Sequence, residues 1–568
     1  MSIKLGPEAQ AALEASEPVL VLDGPGSGKT TLSLLKAQRI IPTLSPGQEV
    51  LFLSFSRAAV RQVMVRCKDV LTRTEQQAIR VRTYHSFCME LLKSHGRLLN
   101  GRPARILYPA ATRMAKAAHR GDWEVEQQRL AREDGLYCFD QFAPASVEIL
   151  GRAERVLRLV SQRYPVIILD EFQDTDDAQW GLVQLLGSHS RLIVLADPDQ
   201  RIFEYDIKVD PERLNQLHAF LKPAEFDLGN ANHRSPDASI LSFADAVLRN
   251  RPLPQTDDVV LMPYLPATFK ACVHAATFVA YRDLVKMGIR SPTIALLCRS
   301  NQLVVEVSAI LDGPHTFGGT ELHPIEHDVV WDAELTTAAA QVVGSILEWP
   351  EHDLQVGVAA TLQYITHYYE LKNSIRSTAS AQSTAVSYRK AEEALRNKGT
   401  SKLQTVDQLI SLSRAGLTLV GRAETDWLAA RAVVAAVPKL REIFNNVRFV
   451  RLFRAKDEIG GVLGGQWLAT GTYGQAAESV RKTLEAHQLI SANSDPAGIV
   501  LMSMHKSKGK EFDGVVMVEG RYSGKFFDST RESEPFEATR RLLRVAITRA
   551  RHKVFIVRPQ RCRALTDS

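Results

Sequence analysis

The chain has few cysteines: six among 568 residues (Cys67, Cys88, Cys138, Cys272, Cys298 and Cys562), with no C-x-x-C pair. That argues against a zinc ribbon, a cysteine-ligated iron–sulfur cluster and a disulfide-stapled scaffold, and fits a reducing compartment. No apolar run approaches the roughly 18 residues that a bilayer-crossing helix needs. The opening Met-Ser-Ile-Lys-Leu-Gly-Pro-Glu also lacks the apolar stretch of a secretory signal. Neither charge dominates: 70 Lys plus Arg face 64 Asp plus Glu, for a net +6. So mild an excess permits a polyanionic partner without requiring one. What remains is ordinary: 45% hydrophobic and 24% charged residues, as in a soluble globular protein of about three to five domains. A cytoplasmic, multidomain chain is expected.

Short runs rich in Val, Ile and Leu recur at Val19–Leu22, Val50–Phe55, Val166–Leu169 and Leu192–Ala196, each followed by a longer helical pattern. Strands buried on both faces have this composition, so a parallel sheet wrapped by helices is expected. A second set lies at Thr293–Leu297, Gly498–Met502, Val515–Val518 and Val554–Val557. The predicted fold class is therefore α/β, with two parallel-sheet domains carrying helical insertions. The first occupies 1–92 and 133–227; the second occupies 228–350 and 491–568. Between them, Lys93–Arg132 has nine Lys or Arg against three acids and is read as a small basic helical insertion. Residues 351–490 form a second, Ala-rich helical insertion. Within it, Asn373–Ala385 is short of large apolar residues and is expected to be a loop or linker. No internal repeat suggests a solenoid.

The sharpest local signal is Val19-Leu-Val-Leu-Asp-Gly-Pro-Gly-Ser-Gly-Lys-Thr-Thr31. A buried strand enters a turn with Gly24, Gly26, Ser27 and Gly28, and a helix follows from Lys29, Thr30 and Thr31. Glycines let successive N–H groups converge on one anion, the helix N-terminus adds partial positive charge, and Lys29 adds a full one. The Thr30 hydroxyl suits Mg²⁺. Asp23 stands where this pattern carries Gly or Ala; it either caps the loop or repels phosphate. A glycine turn with a solvated lysine is the plain alternative. The second signal, Tyr164-Pro-Val-Ile-Ile-Leu-Asp-Glu-Phe-Gln-Asp-Thr175, is an apolar strand ending in adjacent carboxylates. After a P-loop, Asp170 is expected to hold Mg²⁺ and Glu171 to polarise the attacking water.

The string Asp170–Thr175 (D-E-F-Q-D-T) resembles the Walker B motif of superfamily 1 helicases of the UvrD/Rep type. Further segments similar to that family's motifs follow in order. They are Ser54-Phe-Ser-Arg-Ala-Ala59, Thr83-Tyr-His-Ser-Phe87, Ala196-Asp-Pro-Asp-Gln-Arg-Ile-Phe203, Asn232-His-Arg-Ser235, Ser503-Met-His-Lys-Ser-Lys-Gly-Lys-Glu-Phe512 and Arg540-Arg-Leu-Leu-Arg-Val-Ala-Ile-Thr-Arg-Ala550. The resemblance covers most of 1–235 and 490–568 and is weak between about 300 and 490. It implies two RecA-like domains with ATP and Mg²⁺ in the cleft between them. By position, Gln10 reads the adenine edge and Gln200 couples the γ-phosphate to the DNA site. Arg234 and Arg549 act as arginine fingers, and Glu511 contacts the ribose. An always-charged planar fork stabilises charge on a transferring phosphoryl group by about 10³–10⁵ in rate.

On the nucleic-acid side, the resemblance places Phe55, Phe203 and Tyr205 against bases, with Thr83, His85 and His505 on phosphates or sugars. Stacking of this kind is worth roughly 1–3 kcal/mol per base. Core packing is the open alternative for Phe55 and Phe203. Two residues depart from the family: Asp206 replaces a usually basic residue, and Arg544 replaces the usual tyrosine. The implied activity is an ATP-driven helicase moving 3′ to 5′ on single-stranded DNA and acting at single-strand/duplex junctions. The rival is a DNA-bound ATPase switch, or a helicase-like subunit of a complex with a protein partner. A small-molecule P-loop kinase leaves the second arginine-bearing domain unexplained. No nuclease motif follows the last segment, so any cutting is expected from a separate chain.

Overall fold

A computed structural model describes residues 5–16, 18–22, 24, 26–108, 112, 115–116, 119, 121–202, 209–228, 239–330, 333–375, 379–397, 399–447, 450, 458–491 and 497–567. The chain divides into two compact units. One comprises Met1–Thr112, Arg120–Asp328 and Pro496–Ser568; the other comprises Arg113–His119 and Val329–Asp495.

The first unit contains two parallel sheets. Across the first, the strands run Ile79–Thr83, Val50–Ser54, Val166–Leu169, Arg191–Ala196, Val19–Leu22 and Ala224–Asp227. Alternate residues of its central strands enter opposite cores. Leu20, Leu51, Leu53, Ile167 and Leu169 pack on one face, and Val19, Val21, Val50, Phe52, Val166 and Ile168 pack on the other. That two-sided burial is why these strands are apolar throughout. The second sheet orders Ile499–Ser503, Ile294–Cys298, Phe512–Val518, Ala550–Pro559 and Val259–Tyr264, again in parallel. Connections between parallel strands return over the faces, so the loops after their C-terminal ends gather along one edge. That edge carries the charged motifs.

In the Lys93–Arg132 stretch the described residues are mainly helical, with Arg97–Asn100 and Trp123–Arg129. Arg105–Ile106 also makes a two-residue parallel bridge to Leu136–Tyr137.

The second unit is built of helices around Ala333–Leu347, Leu354–Ile375, Ala379–Arg396, Ala423–Ala436 and Ala476–Ser491. Tyr368, Trp427 and Tyr473 fill its core. The expected loop at Asn373–Ala385 is corrected here: Leu354–Ile375 is helical, and a new helix begins at Ala379. Ala381 and Ala385 are buried four residues apart on one helical face. Alanine is the best helix former, so a segment poor in large side chains still packs. Gly344 has a packing reason of its own, since a Cβ there would stand 2.5 Å from the Ala477 Cα.

Candidate nucleotide site

Val19–Leu22 delivers the chain to Gly24, and Lys29–Ile40 carries it away as a helix. Gly26 and Gly28 hold φ at +84° and +91°, a region that disfavours side chains. Gly28 is the N-cap, and its carbonyl accepts from the Leu32 N–H at 2.8 Å. The Lys29 ammonium folds back to donate to the Gly24 carbonyl at 2.9 Å. The Ser27 hydroxyl is buried without a hydrogen-bond partner among the described residues. An unpaired buried donor in a glycine turn at a helix N-terminus suits a bound phosphate. Thr30 and Thr31 occupy the first turn, both half-buried. Asp23 lies outside the described residues, so its effect on the loop is a matter for experiment.

Val166–Leu169 ends at Asp170, whose carboxylate accepts from the Ser54 hydroxyl at 3.1 Å. Burial, and then the neighbouring Glu171 charge, push the Asp170 carboxyl up to about 7. A buried carboxylate of that kind suits a divalent cation, whose charge would favour the ionised form. Among the described residues no cluster of three or more His, Cys, Asp or Glu forms a protein-only metal cage. Mg²⁺ typically takes one or two protein oxygens beside substrate phosphates. The buried Asp170 carboxylate and the unpartnered Ser27 hydroxyl in its glycine turn fit an Mg-nucleotide, which Thr30 and Asp170 would hold through the cation.

Glu171 adopts φ +53°, unusual for a side chain with a Cβ. Its carboxylate accepts from the Gln173 amide at 2.7 Å and lies 3.7 Å from the Lys508 ammonium. Burial works to raise its pKa, but Lys508, Lys29, the Gln173 hydrogen bond and Arg549 outweigh it and hold the group below its usual value. An ionised carboxylate surrounded by cations from both sheets is the chemical centre of the site. Asp174, fully buried, pairs with Lys508, which also donates to the Gln200 carbonyl at 2.7 Å. Burial pushes the Asp174 carboxyl up to about 6 despite that pairing.

Gln200 binds the Asp197 carboxylate through its amide at 2.7 Å and lies 3.4 Å from the buried Arg549 guanidinium. Arg549 donates to the Val545 carbonyl at 3.0 Å. Lys29, Glu171, Gln200 and Arg549, named from separate motifs, thus converge. Sequence reasoning quoted Lys508, Asp174, Gln173 and Asp197 within motifs but gave them no role. The structure places them in the same network, and only tertiary pairing exposes it.

Gln10 sits on the helix Pro7–Glu14 and bonds Glu14; the buried Lys36 ammonium ties that helix to the phosphate-loop helix through the Ala12 carbonyl at 3.1 Å. Glu511 pairs with Arg551 at 3.2 Å. Arg234, Phe203, Tyr205 and Asp206 lie outside the described residues. Phe55 is half-buried, its ring 5.6 Å from Tyr84. Thr83 caps the helix Tyr84–His95, accepting from the Ser86 N–H at 3.1 Å. His85 is exposed, stacks on Phe139 at 6.3 Å and borders a cavity of about 270 Å³ that Asp140 and Asp176 also line. Burial and then Arg299 lower the pKa of His505, favouring a neutral imidazole.

The UvrD/REP helicase N-terminal domain model matches residues 5–120 and 117–217, and the UvrD-like helicase C-terminal domain model matches 498–557. The chain thus carries UvrD/REP helicase N-terminal and UvrD-like helicase C-terminal domains. Both matched regions include the converging residues described above. Among UvrD/Rep relatives, ATP-dependent DNA helicase Rep of Escherichia coli is 24% identical over 44% of this chain and 44% of its own. ATP-dependent DNA helicase PcrA of Leuconostoc citreum is 24% identical over 43% of this chain and 38% of its own. YjcD of Bacillus subtilis is 22% identical over 98% of this chain and 79% of its own. This chain thus spans less than half the length of Rep and PcrA. No helix among the described residues is long and apolar enough to cross a membrane.

Proposed function

We propose that this chain is an ATP-driven DNA translocase whose two sheets act as lobes closing on the nucleotide, moving 3′ to 5′ along single strands and opening duplex ahead. The observation that carries this reading is the meeting, at Glu171, of Lys29 from the phosphate loop with Lys508 and Arg549 from the second sheet's loops. Gly24, Gly26, Ser27, Gly28 and Lys29 cradle the phosphates, with Gln10 at the adenine edge and Glu511 at the ribose. Thr30 and Asp170 hold Mg²⁺, which supplies neutralising charge to the phosphate oxygens. Glu171 takes a proton from the water that attacks the γ-phosphorus while its bond to the ADP oxygen breaks, and Arg549 with Arg234 stabilises charge on the transferring phosphoryl group and the leaving ADP.

Gln200 links that event to the strand-binding surface. Its amide holds Asp197 and its carbonyl holds Lys508, and Phe203 and Tyr205 follow it by a few residues in sequence. When the γ-phosphate leaves, the cations it joined repel one another and favour an open cleft. Phe55, Thr83, His85 and His505 grip the strand in alternation with the aromatic pair.

Lys29→Ala and Glu171→Gln are expected to abolish DNA-stimulated ATP hydrolysis while leaving the melting temperature within a few degrees of wild type. Undiminished turnover in either variant overturns the assigned site. Hydrolysis measured with no nucleic acid, single-stranded DNA, duplex and RNA, beside displacement of a labelled strand from tailed duplexes, tests the rest. Stimulation by single strands without displacement makes the chain a DNA-bound ATP switch; displacement from a 5′ tail alone reverses the polarity.

A further inference from the structure

We propose that Arg544, which stands where the family carries tyrosine, is a further residue of the nucleotide site: a positioning arginine that reaches the phosphate loop and favours the triphosphate over the diphosphate. The inference rests on the ATP reading above. Arg544 lies on the helix Glu537–Ile547 and is 97% buried, a costly placement for a guanidinium without dense pairing. Its Nε donates to Asp245 at 2.7 Å. Its Nη1 has the Asp197 carboxylate at 3.5 Å but no hydrogen-bond partner among the described residues. Its Nη2 lies so close to Gly24 that a Cβ on that glycine would stand 2.8 Å away.

Gly24 is also the residue whose carbonyl the Lys29 ammonium grasps. Two cations, one from each sheet's elements, therefore converge on one glycine of the loop. In a P-loop the backbone N–H groups near the helix cradle the inner phosphates, and the lysine reaches the outer ones. A guanidinium beside that lysine, with donors still unspent, is placed to share the outermost phosphate. Tyrosine offers a single neutral donor there. A side chain at 24 would crowd the guanidinium, so Gly24 leaves room for that approach. Asp245 and Asp197 fix the fork's direction and offset its charge without satisfying all five of its N–H donors.

The test is binding of fluorescent mant-ATPγS and mant-ADP to the full chain without DNA. Arg544→Tyr is expected to weaken mant-ATPγS by about 10–100-fold, the size of one or two charge-assisted hydrogen bonds, and mant-ADP by less than about twofold. Arg544→Lys, which keeps the charge without the fork, should fall between. Reading the ratio of the two affinities within each variant cancels any general loss of folded protein. Equal weakening of both nucleotides reduces Arg544 to a structural strut and overturns the proposal, as does an unchanged ratio. If wild-type protein binds neither nucleotide, the ATP reading itself fails.

Discussion

The two compact units bury charge in different ways, and the difference separates chemistry from architecture. In the helical unit, Asp426 is fully buried yet saturated: the Val420 N–H at 2.8 Å, the Gly421 N–H at 2.9 Å and the Tyr473 hydroxyl at 2.7 Å all donate to it. Among the described residues, the buried groups left without hydrogen-bond partners there are neutral, namely the Thr336 hydroxyl, the Trp427 indole and the Gln466 carbonyl oxygen. In the two-sheet unit, charged atoms remain without a hydrogen bond near the site, among them Asp174 Oδ1 and Arg544 Nη1, beside the Ser27 hydroxyl, which also lacks one among the described residues. A buried charge answered on every side pins a loop; several left partly unanswered and facing one another make a place for something else to bind.

The contrast is sharpest at Lys508. Lys508→Met leaves Asp174 buried without its partner and should cost about 3–5 kcal/mol of stability. Adding Asp174→Asn should restore much of the stability measured by denaturant unfolding, but none of the ATP turnover. Recovery of turnover in the double variant would make the pair purely structural. In the helical unit, Asp426→Ala strands two backbone donors and a hydroxyl. A loss of about 2–3 kcal/mol is expected, with ATP turnover per folded molecule unchanged. A specific drop in turnover would dissolve the division between the units.

The smallest expected effect concerns Glu348, which accepts from the Ala477 N–H at 2.9 Å, while burial pushes its carboxyl up to about 7. Its folded-state pKa lies above its unfolded one, so the folded chain holds that proton more tightly. Stability from this group is present at low pH and is lost as pH rises through about 7. Melting scans from pH 5 to 8 should show a decline that Glu348→Gln flattens by about 2–4 °C, the size of 1 kcal/mol in a unit of this length.

Much of the fold is legible where one physical demand dominates. Val19–Leu22 and Val166–Leu169 are apolar at every position because both faces are covered, and the structure forms them with those limits. Ala224–Asp227 and Val259–Tyr264 go unread because they are edge strands with half their residues or more exposed or partly exposed. Ile79–Thr83 alternates apolar and polar residues and is also an edge. Asn373–Ala385 misleads because small residues look too weak for a core, although close helix packing needs them small. Within the site, glycines and adjacent acids announce themselves through their types and spacing. Lys508 and Asp174 do not, since an ion pair 334 residues apart in sequence leaves no local pattern. Arg544 is visible as a departure from the family, but its place against Gly24 is not.

The left-handed backbone at Glu171 carries a conflict between folding and work. A carboxylate there holds the chain in a conformation that costs about 1–3 kcal/mol, whereas glycine would occupy it freely. On the role proposed for Glu171, selection for thermal robustness alone would drift toward a sturdier protein with an idle engine, and a demand for turnover would keep the acid in place.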